Sequence, residues 1–148
     1  MKTLCKKVEK IGAFTEDYAL LAIRLVLAYG FFGPAMMKWR NMSDIADWFS
    51  SMGIPFPTLN AYLAASTEMA VVILLPLGFM VRFISLPAMV TMVVAIVTVH
   101  IGNGFEASAN GFEIPLYYLL MLFLLFSHGA GKFSIDRILH MKSAKAEE

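Results

Sequence analysis

The chain has 148 residues, of which 59% are hydrophobic and only 16% are charged, and its formal net charge at pH 7 is +1. Soluble domains carry about 25% charged residues, and one soluble core of this length could not bury so much apolar surface. We therefore interpret the chain as a single lipid-embedded domain. The near-neutral charge, without a basic stripe interleaved with aromatic residues, argues against nucleic-acid binding.

Four apolar segments follow one another along the chain and predict four transmembrane helices. They cover about residues 18–37, 58–80, 83–101 and 114–128. About 20 apolar residues cross the hydrocarbon core of a bilayer, and only a helix satisfies the backbone of an isolated segment in lipid. The predicted fold class is an all-α integral membrane four-helix bundle, with residues 1–17 and 129–148 as tails.

The loop between the first two segments predicts a short amphipathic helix. Ser43 suits its N-terminus, and apolar side chains follow at helical spacing at Ile45, Trp48, Phe49 and Met52. We expect this helix to lie in the membrane interface, with Trp48 at headgroup depth.

The distribution of lysine and arginine predicts the orientation in the membrane. Positive residues concentrate in the two tails and at Arg82, whereas the loop at residues 102–111 has none. The positive-inside rule then assigns both termini to the cytoplasm of a bacterial inner membrane, and the loops at residues 38–57 and 102–111 to the outside.

Two ionisable residues lie inside the first two apolar segments. Arg24 is about two turns into the first, and Glu68 is near the middle of the second. A charge at bilayer depth costs at least about 2.5–3.5 kcal/mol, and the two segments run antiparallel, so we expect Arg24 and Glu68 to form a buried pair. The pair could fix the bundle structurally, or Glu68 could handle protons or contact a quinone headgroup.

A second group of candidate site residues lies at the outer face. His100 ends the third segment, Glu113 opens the fourth, and Glu106 lies in the loop between them. His100 and Glu113 could form a hydrogen-bonded pair that ties the loop down, relay protons, or bind a metal. Met36 and Met37 add thioethers that suit copper(I), although methionine also commonly fills gaps in apolar cores.

Other catalytic signatures are missing from the sequence. Cys5 is the only cysteine, which excludes an intramolecular disulfide, a CxxC redox pair and a cysteine metal cluster. No nucleophile motif, phosphate-binding glycine loop or dinucleotide fingerprint occurs. We therefore favour a non-catalytic membrane subunit over an enzyme.

The same positions, taken together, resemble the DoxX family of small four-helix membrane proteins. The resemblance covers nearly the whole chain and rests on Arg24, Gly30, Gly33, Lys38, residues 53–55, Glu68, Gly78, Arg82, His100, Glu113 and residues 129–136. Residues 29–39 and 100–105 are similar to an HvfX-like branch that is associated with maturation or handling of copper-binding modified peptides. Other family members are linked to redox enzymes, including a thiosulfate:quinone oxidoreductase subunit.

Three functional hypotheses follow. The first is an inner-membrane accessory protein that supports maturation or handling of a copper-binding modified peptide, with a protein or peptide partner in the membrane or periplasm. The second is a membrane subunit of a quinone-linked redox complex, with the quinone bound between the first three helices. The third is transport of a small solute, which would require a homo-oligomer because one four-helix unit is too small to build a gated path.

Overall fold

The structure, a computed structural model, describes the backbone of residues 2–146 and the side chains of residue 12 and residues 14–142. Cys5 and the N-terminal lysines used for the topology prediction lie outside the described side chains. Six α-helices form the fold: α1 (Lys2–Arg40), α2 (Met42–Ser51), α3 (Pro57–Leu77), α4 (Val81–Ala95), α5 (Glu113–His128) and α6 (Ile135–Ala146). No strand occurs in residues 2–146, and the predicted all-α class is confirmed.

Three helical stretches are long and apolar enough to cross a membrane. They are Phe14–Arg40 within α1, the whole of α3, and Val81–Asn103, in which α4 continues into a π-helical turn at Ile96–His100. The fourth apolar helix, α5, has 16 residues and is shorter. The chain is therefore a helical membrane bundle with one short member.

The two ends of the chain are more helical than the sequence analysis expects. α1 begins at Lys2 rather than near residue 18, and α6 occupies much of the stretch predicted as a C-terminal tail. No proline interrupts residues 2–17, and lysine, glutamate, alanine and leucine are good helix formers. Helix propensity therefore extends α1 beyond its apolar segment.

The long helices associate as two antiparallel pairs. α1 packs along α3, and α4 packs along α5, whereas α3 and α4 make fewer contacts with each other. The buried core shared by the pairs consists of apolar side chains from all four helices, including Leu27, Phe31, Val71, Leu75, Ala88, Leu122 and Leu125. The two pairs also touch through α1 and α5, which make still fewer contacts, and space remains between the pairs toward one end of the bundle.

Helix α2 lies across that end of the bundle, as the amphipathic pattern predicts. Ile45 and Ala46 are buried against Ala61 of α3, and Phe49 packs beside them. Trp48 is 43% exposed, which suits a side chain at headgroup depth. The helix begins at Met42 rather than after Ser43, and no side chain caps it. We call this the α2 end, and the opposite end of the bundle the α6 end.

At the α6 end, residues 129–136 fold back against the turn between α3 and α4. Gly78 ends α3 with a positive φ of 64°, a conformation that glycine adopts without strain. The Asp136 carboxylate accepts hydrogen bonds from the backbone N–H groups of Met80 (2.8 Å) and Val81 (3.1 Å). The Asp136 N–H donates to the Gly78 carbonyl at 3.0 Å. A residue distant in sequence thus caps the N-terminus of α4.

The cap at Asp136 gives a stability prediction. Asp136→Ala removes both acceptors from the start of α4, so we expect the free energy of unfolding in detergent to fall by about 1–2 kcal/mol. Asp136→Asn keeps one acceptor oxygen, so its free energy of unfolding should fall by less. Asp47→Ala, at an exposed position on α2, is the control. A denaturant titration in which Asp136→Ala unfolds like the wild type would contradict the cap.

Candidate functional site

The buried carboxylate of Glu68 pairs with Lys38. The Lys38 Nζ lies 3.0 Å from Glu68 Oε1 and 2.9 Å from Oε2, so one ammonium group serves both oxygens. The exposed fraction is 12% for the Lys38 side chain and 4% for that of Glu68. Both charges are therefore nearly buried. A buried ion pair is stable only when its geometry is good, and removing one partner leaves the other charge buried and uncompensated.

The predicted pair of Arg24 and Glu68 is wrong, although both side chains are buried as expected. Arg24 lies beside Gly78, at the end of α3, and Glu68 is ten residues earlier in that helix. At 1.5 Å per residue the two are separated by about 15 Å along the bundle. The Arg24 Nη2 instead donates to the Phe133 carbonyl at 2.6 Å. Its Nε and Nη1 have no hydrogen-bond partner within the described part of the chain.

Lys38 reaches Glu68 because of the direction of its helix. Side chains lean toward the N-terminus of an α-helix, so the long Lys38 side chain extends back from the end of α1 toward the middle of α3. In the sequence, Lys38 directly follows the first apolar segment and precedes Trp39 and Arg40, a pattern typical of a polar flank rather than of a buried residue. One signal in the sequence could have linked the two residues: both Lys38 and Glu68 belong to the set that carries the family resemblance.

The ion pair lies on the wall of a large chamber toward the α2 end. The chamber has a volume of about 950 Å³ and lies between the two helix pairs, where residues of α2 and of the loop before α5 contribute to its lining. Most of its lining is apolar, and among its polar side chains are Lys38, Asn60, Thr67, Glu68, Thr91, Thr98, His100, Asn110 and Tyr118. A largely apolar cavity of this size with a few polar groups has the features of a small-molecule site.

The inner part of the chamber wall is set by close packing of α1 on α5. A Cβ at Gly30 would overlap the Tyr118 hydroxyl group, so only glycine allows this approach. The Tyr118 ring also packs on Phe31, with the ring centroids 5.4 Å apart. Gly30 therefore admits an aromatic side chain with a hydroxyl group into the chamber lining.

Along its side, the chamber is bordered by residues that also face the surroundings of the bundle. Leu63 of α3 is 54% exposed, and Val90 and Val94 of α4 are 63% and 43% exposed, and all three line the chamber. In a bilayer these positions contact lipid. Residues of α3 and α4 that line the chamber are therefore also exposed on the outside of the bundle.

His100 and Glu113 hold the loop before α5 separately rather than as a pair. The His100 Nδ1 lies 2.8 Å from the Asn110 carbonyl oxygen. Glu113 accepts from the Ala107 N–H at 3.0 Å and from the Tyr117 hydroxyl at 3.1 Å. The expectation of a direct hydrogen bond between His100 and Glu113 is wrong because each is already matched to a loop or helix partner. Both nevertheless tie the loop down.

The candidate metal ligands do not converge. His100 lines the chamber, whereas Glu106, Glu113, Met36 and Met37 do not. Glu106 is exposed and accepts from the Ser108 hydroxyl at 3.4 Å. Among the residues that the structure describes, no group of three or more His, Cys, Asp or Glu side chains could hold a metal ion. The outer-face candidates therefore contribute one residue, His100, to the chamber.

Comparisons with known proteins agree with this architecture. The family model described as DoxX matches residues 19–101, which include Lys38, Glu68 and His100. An uncharacterized protein of Haemophilus influenzae is 30% identical over 141 residues, covering 90% of this chain and 89% of its own. An uncharacterized membrane protein of Mycobacterium tuberculosis is 27% identical over 136 residues, covering 84% and 83%. No solved structure matches the chain significantly.

The pairing of Lys38 with Glu68 can be tested by a double-mutant cycle. Lys38→Met or Glu68→Met alone leaves one charge buried without its partner, so each should lower the free energy of unfolding by about 3–5 kcal/mol. The double variant removes both charges and should unfold within about 1–2 kcal/mol of the wild type. Strict additivity of the two single losses in detergent would show that the residues do not interact.

Proposed function

The chain belongs to the DoxX family, and we propose that it is a membrane subunit that binds a quinone headgroup for a redox partner. The observation that carries the proposal is the ion pair of Lys38 and Glu68 on the wall of the apolar chamber. Ionisable residues that face a cavity inside a membrane usually mark a functional site. The role is that of a binding subunit, with the electrons supplied by the partner.

The chemistry of the pair suits a quinone carbonyl. Lys38 has three N–H donors, and its contacts with the two Glu68 oxygens leave one donor for a ligand. A quinone oxygen only accepts hydrogen bonds, so an ammonium donor in an apolar chamber would orient it. Reduction to the quinol consumes two electrons and two protons. Lys38 would supply a proton to the one quinone oxygen that it contacts, with Glu68 as the neighbouring proton acceptor and donor for Lys38. The proton for the other oxygen and both electrons would come from the redox partner.

The shape of the chamber suits a ligand that dissolves in the bilayer. Quinones of respiratory membranes carry an apolar tail, and Leu63, Val90 and Val94 form an apolar border between the chamber and lipid. A headgroup could enter between α3 and α4 while its tail stays in the membrane. In the orientation expected from the positive-inside rule, the α2 end faces the periplasm of a bacterial inner membrane.

Binding can be measured through the fluorescence of Trp48, which lines the chamber. The chain has two tryptophans, so a Trp39→Phe background leaves Trp48 as the reporter. We expect a short-chain ubiquinone to quench it. Ala95→Phe fills the chamber from α4 and should weaken binding at least about tenfold. Val93→Phe, on the same helix but outside the chamber lining, is the matched control and should bind normally.

The role of the charges is separated from the role of shape by the Lys38→Met and Glu68→Met double variant. We expect it to fold and to bind the same quinone at least about tenfold more weakly, because a charged donor contributes about 1.5–3 kcal/mol to a hydrogen bond. A wild-type protein that shows no saturable quenching would refute the proposal. Equal quenching of the wild type and Ala95→Phe would show that the quinone does not bind in the chamber.

The copper-peptide role implied by the family resemblance is a second candidate, supported by two residues of the chamber. His100 and Met52 both line it toward the α2 end, and imidazole and thioether groups suit copper. In this role the α2 end would contact the modified peptide or its modifying machinery. The test is growth of a deletion strain under copper excess, complemented with wild type or with His100→Ala and Met52→Ala. Unchanged copper tolerance after deletion would contradict it.

A further inference from the structure

A second pocket, of about 700 Å³, lies at the α6 end of the bundle, far from the chamber. Basic side chains reach it from the start of α4, the end of α5 and the C-terminal segment. They are Arg82, His128, Lys132, Arg137 and His140. Below we call this the basic pocket.

The acidic side chains of the basic pocket are largely occupied. The Asp17 carboxylate accepts from the Lys132 backbone N–H at 2.8 Å and pairs with its Nζ at 2.9 Å. Asp136 caps α4, as described above, and Glu16 is exposed. Arg82 donates to the Ser127 carbonyl at 3.2 Å. Within the described side chains, neither Arg82 nor Arg137 forms a salt bridge within 4.0 Å. Arg82 is therefore available to an anion, whereas Arg137 lies near enough to the Asp17 carboxylate to interact with it electrostatically and would be shared between Asp17 and the anion.

Exposed apolar side chains accompany the pocket: Phe83 belongs to its lining, and others are neighbours of lining residues along the chain. Phe83 is 70% exposed next to Arg82, and Phe133 is 48% exposed next to Lys132. On α6, Ile138, Leu139 and Met141 are about half exposed, while Arg137 and His140 line the pocket. At helical spacing, Ile138 and Leu139 lie on the side of α6 away from Arg137 and His140, whereas Met141 lies beside Arg137. Exposed apolar residues on one side of a helix with basic residues on the other are typical of a segment that lies in the membrane interface.

We propose that the basic pocket binds the headgroup of an anionic phospholipid. Arginine presents paired donors that match the geometry of a phosphate group, and Arg82 and Arg137 would contact the phosphodiester. The acyl chains would extend along Phe83 and the apolar residues of α6. This inference does not depend on the quinone proposal, because the two cavities share no lining residue.

The test compares lipid binding to the full-length protein in detergent by native mass spectrometry. We expect phosphatidylglycerol to be retained in preference to phosphatidylcholine. Each basic residue near an anionic surface contributes about fivefold to binding, so Arg82→Gln with Arg137→Gln should weaken retention about 25-fold. The single variants Arg82→Gln and Arg40→Gln each remove one positive charge. Arg40, at the end of α1 near the α2 end, is therefore the charge-matched control for Arg82, and Arg40→Gln should retain phosphatidylglycerol normally.

A parallel thermal-unfolding assay separates a lipid from a soluble anion. We expect phosphatidylglycerol to raise the unfolding temperature of the wild type and not that of the double arginine variant, with inorganic phosphate leaving both unchanged. Equal retention of the two lipids, or an equal loss with Arg40→Gln, would overturn the proposal. Stabilisation by inorganic phosphate as large as that by phosphatidylglycerol would refute the lipid as the ligand.

Discussion

The ion pair of Lys38 and Glu68 is the constraint on which the half of the bundle toward the α2 end depends. Two nearly buried charges in an apolar bundle are tolerated only when each has its partner, and here one ammonium contacts both carboxylate oxygens. This requirement fixes the register of α1 against α3 at the α2 end. It also leaves the pair on the wall of the space between the helix pairs, where a ligand can reach it.

The two ends of the bundle use their polar groups differently. At the α6 end, Arg24 and Asp136 bind backbone groups of the C-terminal segment and of the turn between α3 and α4. These contacts close the bundle. At the α2 end, His100 and Glu113 likewise bind backbone groups of the loop before α5. The difference is that this end also has a charged pair, Lys38 and Glu68, on the wall of a chamber. Arg24 therefore supports the architecture, whereas Glu68 belongs to the candidate site.

The sequence predicts the class of fold well because hydrophobic length is a local property that the bilayer demands. The amphipathic helix α2 is also correctly predicted from apolar spacing. Pairing across helices is different, since it depends on register and on side-chain direction. Arg24 is 6 residues from the start of the first predicted segment, whereas Glu68 is 12 residues from the end of the second. Level segment ends would already separate the two by about 9 Å along the bundle, and the position of Arg24 beside Gly78 increases that separation. The cap of α4 by Asp136 joins residues more than 50 positions apart, so no local pattern could indicate it.

The central claim is that the partner of Glu68 is Lys38. Its most direct test is a solid-state NMR measurement of the dipolar coupling between the labelled Lys38 side-chain nitrogen and the Glu68 carboxyl carbon, in lipid bilayers. The structure predicts a strong coupling, since the nitrogen lies 2.9–3.0 Å from the two carboxylate oxygens. Absence of this coupling, with a strong coupling from Glu68 to the Arg24 guanidinium instead, would contradict the account.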